Sequence, residues 1–255
     1  MRLQMYENDK RRYEYRDIAV SLALLTRLPI PLKGESFTRG ARAAWAYPLA
    51  GVVMGFIIAT LSGFLLWLGL ESGAVALVIL ATSVVLTGAM HEDGLADCAD
   101  GFWGGWEKDR RLEIMKDSQI GSYGVIALVL SLAARWWALS LLLDQGAYAA
   151  LIAVPVVSRA AMPVVMAALP HARATGLSHA QGRPDAIVAA SAAGIGFVIA
   201  VLMLDWSAFT LAILTALSIA AVIAIARAKI GGQTGDVLGA TQQLVEVVLL
   251  IALFG

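Results

Sequence analysis

Seven apolar runs punctuate the chain, at roughly 44–70, 74–90, 125–143, 147–169, 186–204, 206–226 and 237–254. Each is near the length a helix needs to cross ~30 Å of hydrocarbon at ~1.5 Å per residue. The runs do not alternate with period two and far exceed a barrel strand in length, so they predict helices. The second and the last are short or broken by polar residues. Between the runs, connections alternate in length: 69–73, 144–146 and 204–205 are tiny turns, whereas 91–124, 170–185 and 227–236 are long and polar. Ahead of the first run, a highly charged stretch of 17 residues leads into an eight-residue apolar stretch, 18–25, without a small-x-small cleavage site. That pattern reads as a short interfacial helix rather than a cleaved signal peptide. The expected fold is therefore all-α: a polytopic integral membrane bundle of about seven transmembrane helices. Residues 1–43 form a cytosolic N-terminal segment, and 44–255 form a single membrane-embedded catalytic domain.

Composition agrees with lipid as the solvent. The 255 residues are 59% hydrophobic and 15% charged, against roughly a quarter charged in soluble domains, and mean hydropathy is +0.76. Zero net charge gives no electrostatic footprint for a nucleic-acid partner. A single cysteine, Cys98, excludes an internal disulfide and a thiolate metal site. Of the 19 Lys and Arg, nine precede the first run, eight lie in the long connections and none lies in the short turns. Under the positive-inside rule the N-terminus and every long connection face the cytosol from a bacterial inner membrane.

The stretch HEDGLADCADG, 91–101, carries the densest chemistry. Asp93, Asp97 and Asp100 are spaced i, i+4, i+7 and share one helix face. Stacked carboxylates at the end of an apolar span repel one another and are costly to desolvate. A hard divalent cation relieves both problems, and an all-oxygen set suits Mg²⁺ or Mn²⁺. Gly94 and Gly101 are expected to leave the surface bare for a phosphate. His91, one turn away, is a candidate base or phosphate contact. In 104–124, Arg110, Arg111 and Lys116 offer cations for phosphate, and Asp117 is a further candidate ligand. Gly121 and Gly124 around Ser122 predict a turn whose N–H groups face an anion. GGQTGD, 231–236, has paired glycines, the hydroxyl of Thr234 and the carboxylate of Asp236, but no GK[ST] follows, so it is not a Walker A loop. Asp236 is a candidate for a second metal position. Arg135, Arg159 and Glu246 fall at a similar depth of about 15–16 Å inside their spans, which permits mutual pairing.

Read together, TRLPIP (26–31), the stretch from Arg42 ending YPLAG, HEDGLADCADG (91–101), RRLEIMKDSQIGSYG (110–124), VSR (157–159) and GGQTGDVLGA (231–240), followed by Glu246, resemble the cobalamin synthase family, the adenosylcobinamide-GDP ribazoletransferases. Glu92 stands where that family usually has an apolar residue, and the 176–185 loop is less familiar. The resemblance implies a Mg²⁺-dependent membrane transferase of late vitamin B12 assembly. In that reaction a hydroxyl of α-ribazole, or of its 5′-phosphate, attacks the cobinamide-linked phosphorus of adenosylcobinamide-GDP, and GMP leaves. Metal held by Asp93 and Asp97, with Asp117 and Asp236 as further ligands, would then bridge the pyrophosphate. Asp100 or His91 would take the proton, and Arg110, Arg111, Lys116, Ser122 and Thr234 would contact phosphates.

Two other readings compete. A CDP-alcohol phosphotransferase also uses closely spaced interfacial aspartates, but DGLADCADG lacks that family's Ala-Arg pair and its longer spacing to the final acids. A cation-coupled transporter would line a pathway with acids and buried arginines, yet the acids cluster at one face and no inverted repeat is visible.

Overall fold

The computed structural model describes residues 12–254, and its elements follow the hydropathy runs closely. Helix α1 (Arg16–Leu25) takes up the short apolar stretch. A 3-10 segment, Gly34–Ala46, leads into α2 (Tyr47–Trp67), with Pro48 in the first turn, where its missing N–H costs nothing. Then come α3 (Ser72–Thr87), α4 (Met90–Gly104), α5 (Lys108–Ile114), α6 (Ser122–Asp144), α7 (Tyr148–Ala168), α8 (Leu177–Gln181), α9 (Ala186–Leu204), α10 (Ser207–Ile230) and α11 (Gly235–Ala252).

Six helices among the described residues are long and apolar enough to cross a membrane, or seven if α3 and α4 count as one broken span. The second expected crossing is the broken one. Gly88 ends α3 in the left-handed region, and α4 continues at 86° to it. The acidic stretch 91–101 thus lies within the bundle, not in a connection beyond a span. Asp100 meets the start of α6 while Glu92 meets Arg135 further along it, and Gly94 meets Asp236 while Glu92 meets Gln243. Helix α4 therefore runs antiparallel to both α6 and α11, inside the bundle. Periodicity alone could not place it there, because its charged face resembles a solvated one.

Helix α7 is the central post: 15 of its 21 residues are buried, against α2, α9 and α11. Side chains at Gly51 and Gly55 would collide with the α7 backbone, at 2.4 Å from the Pro155 carbonyl and 2.6 Å from the Ile152 Cα. This small-xxx-small face lets the two backbones touch, which is how helices associate where lipid removes the hydrophobic drive. Outward faces stay apolar, and Trp67 and Trp206 are exposed at one end of the bundle, Trp103 and Trp106 at the other. That distribution matches two interfacial aromatic belts.

The N-terminal segment is tied to this bundle by a buried cluster. Asp17 of α1 accepts from Arg39 Nε and Nη2, both at 2.8 Å, and from the Trp45 indole at 2.8 Å. Leu25, Ala41 and Ala44 share one core with Tyr47, Cys98 and Met162. Cys98 is free and buried there, a small packing residue.

Candidate functional site

Two polar layers lie one above the other along α4. The deeper one is built on Arg135 of α6. Its guanidinium bonds Glu92 at 2.9 Å and Glu246 at 2.7 Å, and donates to Gln243 Oε1 at 3.0 Å and Ser83 Oγ at 3.2 Å. Gln243 donates onward to Glu92 and to Gln242, and Gln242 donates to Glu246 and Ser158. Charges this deep need partners, and the network supplies them from five helices. Arg159, at the same level, makes no ion pair within salt-bridge distance among the described residues. It donates to the Pro155 carbonyl and to Met54 Sδ. Of the two arginines the depth estimate offered to Glu246, the structure chooses Arg135.

The outer layer holds the aspartates. Asp93 and Asp97 share a face of α4, and Asp97 lies in the field of Asp236, Asp93 and Asp100, with Arg173 as the opposing cation. Asp236 enters from the first turn of α11. Its Oδ2 accepts from Arg173 Nη2 and Thr234 Oγ1, each at 3.1 Å. A Cβ at Gly94 would sit 2.7 Å from the Asp236 carbonyl oxygen, and one at Gly239 would sit 3.2 Å from His91 Cα. These glycines let α4 and α11 approach, so Gly94 serves helix contact rather than a bare phosphate surface. Gly101 likewise faces Met115, not open space. Among the described residues, no three His, Cys, Asp or Glu side chains converge closely enough to hold a metal ion by themselves.

Asp100 departs furthest from expectation. Its oxygens accept the Gly121 N–H at 2.7 Å and the Gly124 N–H at 2.9 Å, which caps the start of α6. The N–H groups expected to face an anion do so, but the anion is the protein's own carboxylate. Ser122 and Asp117 border a cavity beside Asp100, separate from the one that Asp93 and Asp236 line. Asp117 accepts from the Gln119 N–H at 3.1 Å.

Of the basic candidates, Arg111 is committed to the carbonyls of Gly105 and Lys229, at 3.0 and 2.8 Å, and ties α5 to the end of α10. Arg110 makes an exposed pair with Glu113, and Lys116 is exposed. In GGQTGD, Gly231 closes α10 in the left-handed region, and Gly232 abuts the Pro170 carbonyl, where a Cβ would sit 2.3 Å away. Thr234 caps α11 by accepting from Val237 N. The loop is laced to 170–172 by backbone bonds on both sides of Gln233. Burial, with His179 and Arg183 nearby, lowers the pKa of His171. Its neutral Nδ1 thus accepts from the Gln233 amide at 3.0 Å, while Gln233 Oε1 accepts from Ser178.

Sequence reasoning missed Arg173, Glu92, Gln242 and Gln243. For Glu92 a signal existed, since an acid replaces an expected apolar residue directly beside the aspartate face. Arg173 carried none beyond membership of a long basic connection.

At the outer layer, a chamber of about 140 Å³ opens beside Asp93, Asp236 and Arg173. His91, 1% exposed, borders both this chamber and the Arg135 network, and its Nε2 has no partner among the described residues. The first turn of α11, Gly235 and Asp236, forms part of the wall, which points a helix N-terminus at the chamber.

Comparison with known proteins now bears on this arrangement. A family model described as cobalamin-5-phosphate synthase matches residues 17–254. An adenosylcobinamide-GDP ribazoletransferase of Sinorhizobium medicae (strain WSM419) is 42% identical over 256 residues, covering 93% of this chain and 95% of that protein. One of the same name from Azorhizobium caulinodans is 44% identical over 247 residues, with 92% and 94% covered. A third, from Mesorhizobium japonicum, is 41% identical over 239 residues, with 92% and 91% covered. No solved structure matches the chain. These likenesses favour neither the CDP-alcohol phosphotransferase nor the transporter reading.

Proposed function

This chain belongs to the cobalamin-5-phosphate synthase family, and from that membership we propose that it joins adenosylcobinamide-GDP to α-ribazole, or to its 5′-phosphate, and releases GMP. The observation that carries the reading is the meeting of two sequence-distant stretches. Asp93 from 91–101 and Asp236 from 231–240 line one chamber, with Arg173 bonded across to Asp236.

The chemistry is a displacement at phosphorus. The 3′-hydroxyl oxygen of the ribazole, free in both α-ribazole and its 5′-phosphate, forms a bond to the cobinamide-linked phosphorus. The bond from that phosphorus to the bridging oxygen breaks, and GMP departs with the oxygen and its electron pair. In such transfers the protein mainly positions the reactants and neutralises charge. Arg173 and the N-terminal turn of α11 are placed to hold phosphate oxygens. Arg110 and Lys116, exposed on the same connection, are suited to drawing anionic substrates inward. The hydroxyl proton needs an acceptor, and both Asp100 oxygens are engaged by α6. His91 borders the chamber with a free ring nitrogen and is the better placed of the two expected bases.

A Mg²⁺ ion fits the donor set. Asp93, Asp97 and Asp236 present three carboxylates against one arginine, and Mg²⁺ is usually held by one or two carboxylates together with substrate phosphates rather than by a protein cage. Bound there, the ion would supply charge neutralisation at the pyrophosphate. By the distribution of basic residues, the reaction faces the cytosol of an inner membrane.

The test is release of labelled GMP from adenosylcobinamide-GDP by purified protein in detergent, dependent on added α-ribazole. Protein that is folded yet releases no GMP with either ribazole substrate would refute the reading.

A further inference from the structure

The chamber beside Asp93 is built unlike a simple phosphate cradle. Leu25, Met90, Met162, Met166 and Leu238 give it apolar walls from four helices. Methionine side chains are flexible and polarizable, and their sulfur makes favourable contacts with aromatic rings. Against those walls stand three buried polar atoms without a hydrogen-bond partner among the described residues: Arg173 Nη1, Gln181 Oε1 and His91 Nε2. A mostly apolar cavity with a few separated polar groups is the pattern of a small-molecule site. The groups differ in kind, since Arg173 can only donate and the Gln181 carbonyl can only accept.

The position of Gln181 is fixed from far away in sequence. Gly40, at φ +50°, brings the 3-10 segment against α8, where a Cβ would sit 2.5 Å from the Gln181 carbonyl. Ser178 of the same short helix is tied to Gln233 at 2.5 Å. The roof is thereby attached to both the N-terminal segment and the loop that leads into Asp236.

We propose that this chamber holds the heteroaromatic base of a nucleoside whose hydroxyl or phosphate end reaches Asp93 and Asp236. The proposal rests on the transfer reading above. At about 140 Å³ the chamber has no room for a macrocycle but accommodates a fused ring pair. An acyl chain would leave Gln181 and Arg173 unpaired, whereas a base offers edge atoms for them and faces for the methionines. Two sources share that chemistry: the guanine of the departing nucleotide and the base of the attacking ribazole.

Equilibrium titration of full-length protein in lipid nanodiscs with GMP and with α-ribazole separates them. Met166→Trp fills the chamber, and Gln181→Leu removes the acceptor from a short helix outside the spanning helices. Met166→Trp is expected to raise Kd for one ligand by at least about tenfold and to leave the other within about twofold. Gln181→Leu weakens the same ligand by about threefold or more. If Met166→Trp does not fold, judged by thermal unfolding, Gln181→Leu carries the test alone. Unchanged affinities for both ligands, or equal weakening of both, overturn the chamber assignment while wild-type GMP release upholds the transfer reading. Wild-type protein that binds neither ligand and releases no GMP overturns both.

Discussion

Arg135 of α6 and Glu246 of α11 meet at 2.7 Å, both buried, and Glu92 of α4 closes on the same guanidinium from the other side at 2.9 Å. Helices α4 and α11, which frame the chamber, are thus fixed to each other and to α6 by a single cation. Removing one member of a buried pair leaves an uncompensated charge, which costs far more than the pair's net contribution.

Arg135→Met is therefore predicted to destabilise the fold by about 3–5 kcal/mol. Adding Glu246→Leu should recover part of that loss, and adding Glu92→Leu should recover more. Thermal or denaturant unfolding in detergent gives the double-mutant cycles. Strictly additive losses would show that the contacts carry no coupling.

Asp100 separates two roles that the sequence could not. As a cap it needs acceptor oxygens and no titratable proton, so Asp100→Asn, which keeps one of the two acceptors, should keep most activity at a small cost in stability, and Asp100→Ala should lower stability further, by about 1 kcal/mol. A loss of kcat of about 10³-fold in Asp100→Asn with an unchanged melting temperature would instead make it the base.

Asp93→Ala, Asp97→Ala and Asp236→Ala should each cut kcat/KM by at least about 10³-fold while leaving membrane insertion intact. Chelation should stop wild-type turnover, and added Mg²⁺ should restore it. Full activity in a chelator would remove the metal from the mechanism, and normal turnover in one variant would remove that carboxylate.

For Arg173, bonded to Asp236 at 3.1 Å, Arg173→Ala should lower kcat/KM by about 10²-fold, with Arg173→Lys intermediate. Equal rates for wild type and Arg173→Ala would return phosphate binding to Arg110 and Lys116.

Much of this architecture was legible in the chain. The apolar runs located the helices, because a lipid-facing helix needs continuous apolar length, and the spacing of Asp93 and Asp97 put them on one face. Depth counting brought Glu246 to the level of Arg135. What stayed hidden depends on contacts between distant elements. The break after Thr87 turns α4 back into the bundle, and nothing in its composition distinguishes a charged face turned inward from one turned to water. Glycines at 94 and 101 looked like bare surface for a phosphate, yet each is spent on close contact with a neighbouring element. Asp100 looked like its neighbours until α6 was placed at its carboxylate. Arg173 acquires meaning only from the backbone pairing of 170–172 with Gln233.

The topology has its own check. Single cysteines placed in a Cys98-free background within 105–121, 170–185 and 231–234 should resist an impermeant thiol reagent added from the periplasmic side and react after permeabilisation. Labelling from outside would put the aspartate face in the wrong compartment.

The central claim is that a ribazole hydroxyl displaces GMP at the cobinamide-linked phosphorus beside Asp93 and Asp236. Its most direct test uses α-ribazole carrying ¹⁸O at the 3′-hydroxyl, incubated with adenosylcobinamide-GDP and purified enzyme, with both products weighed by mass spectrometry. The account predicts ¹⁸O in the cobalamin product and unlabelled GMP. Label in the nucleotide, or a corrinoid product without ¹⁸O, would contradict it.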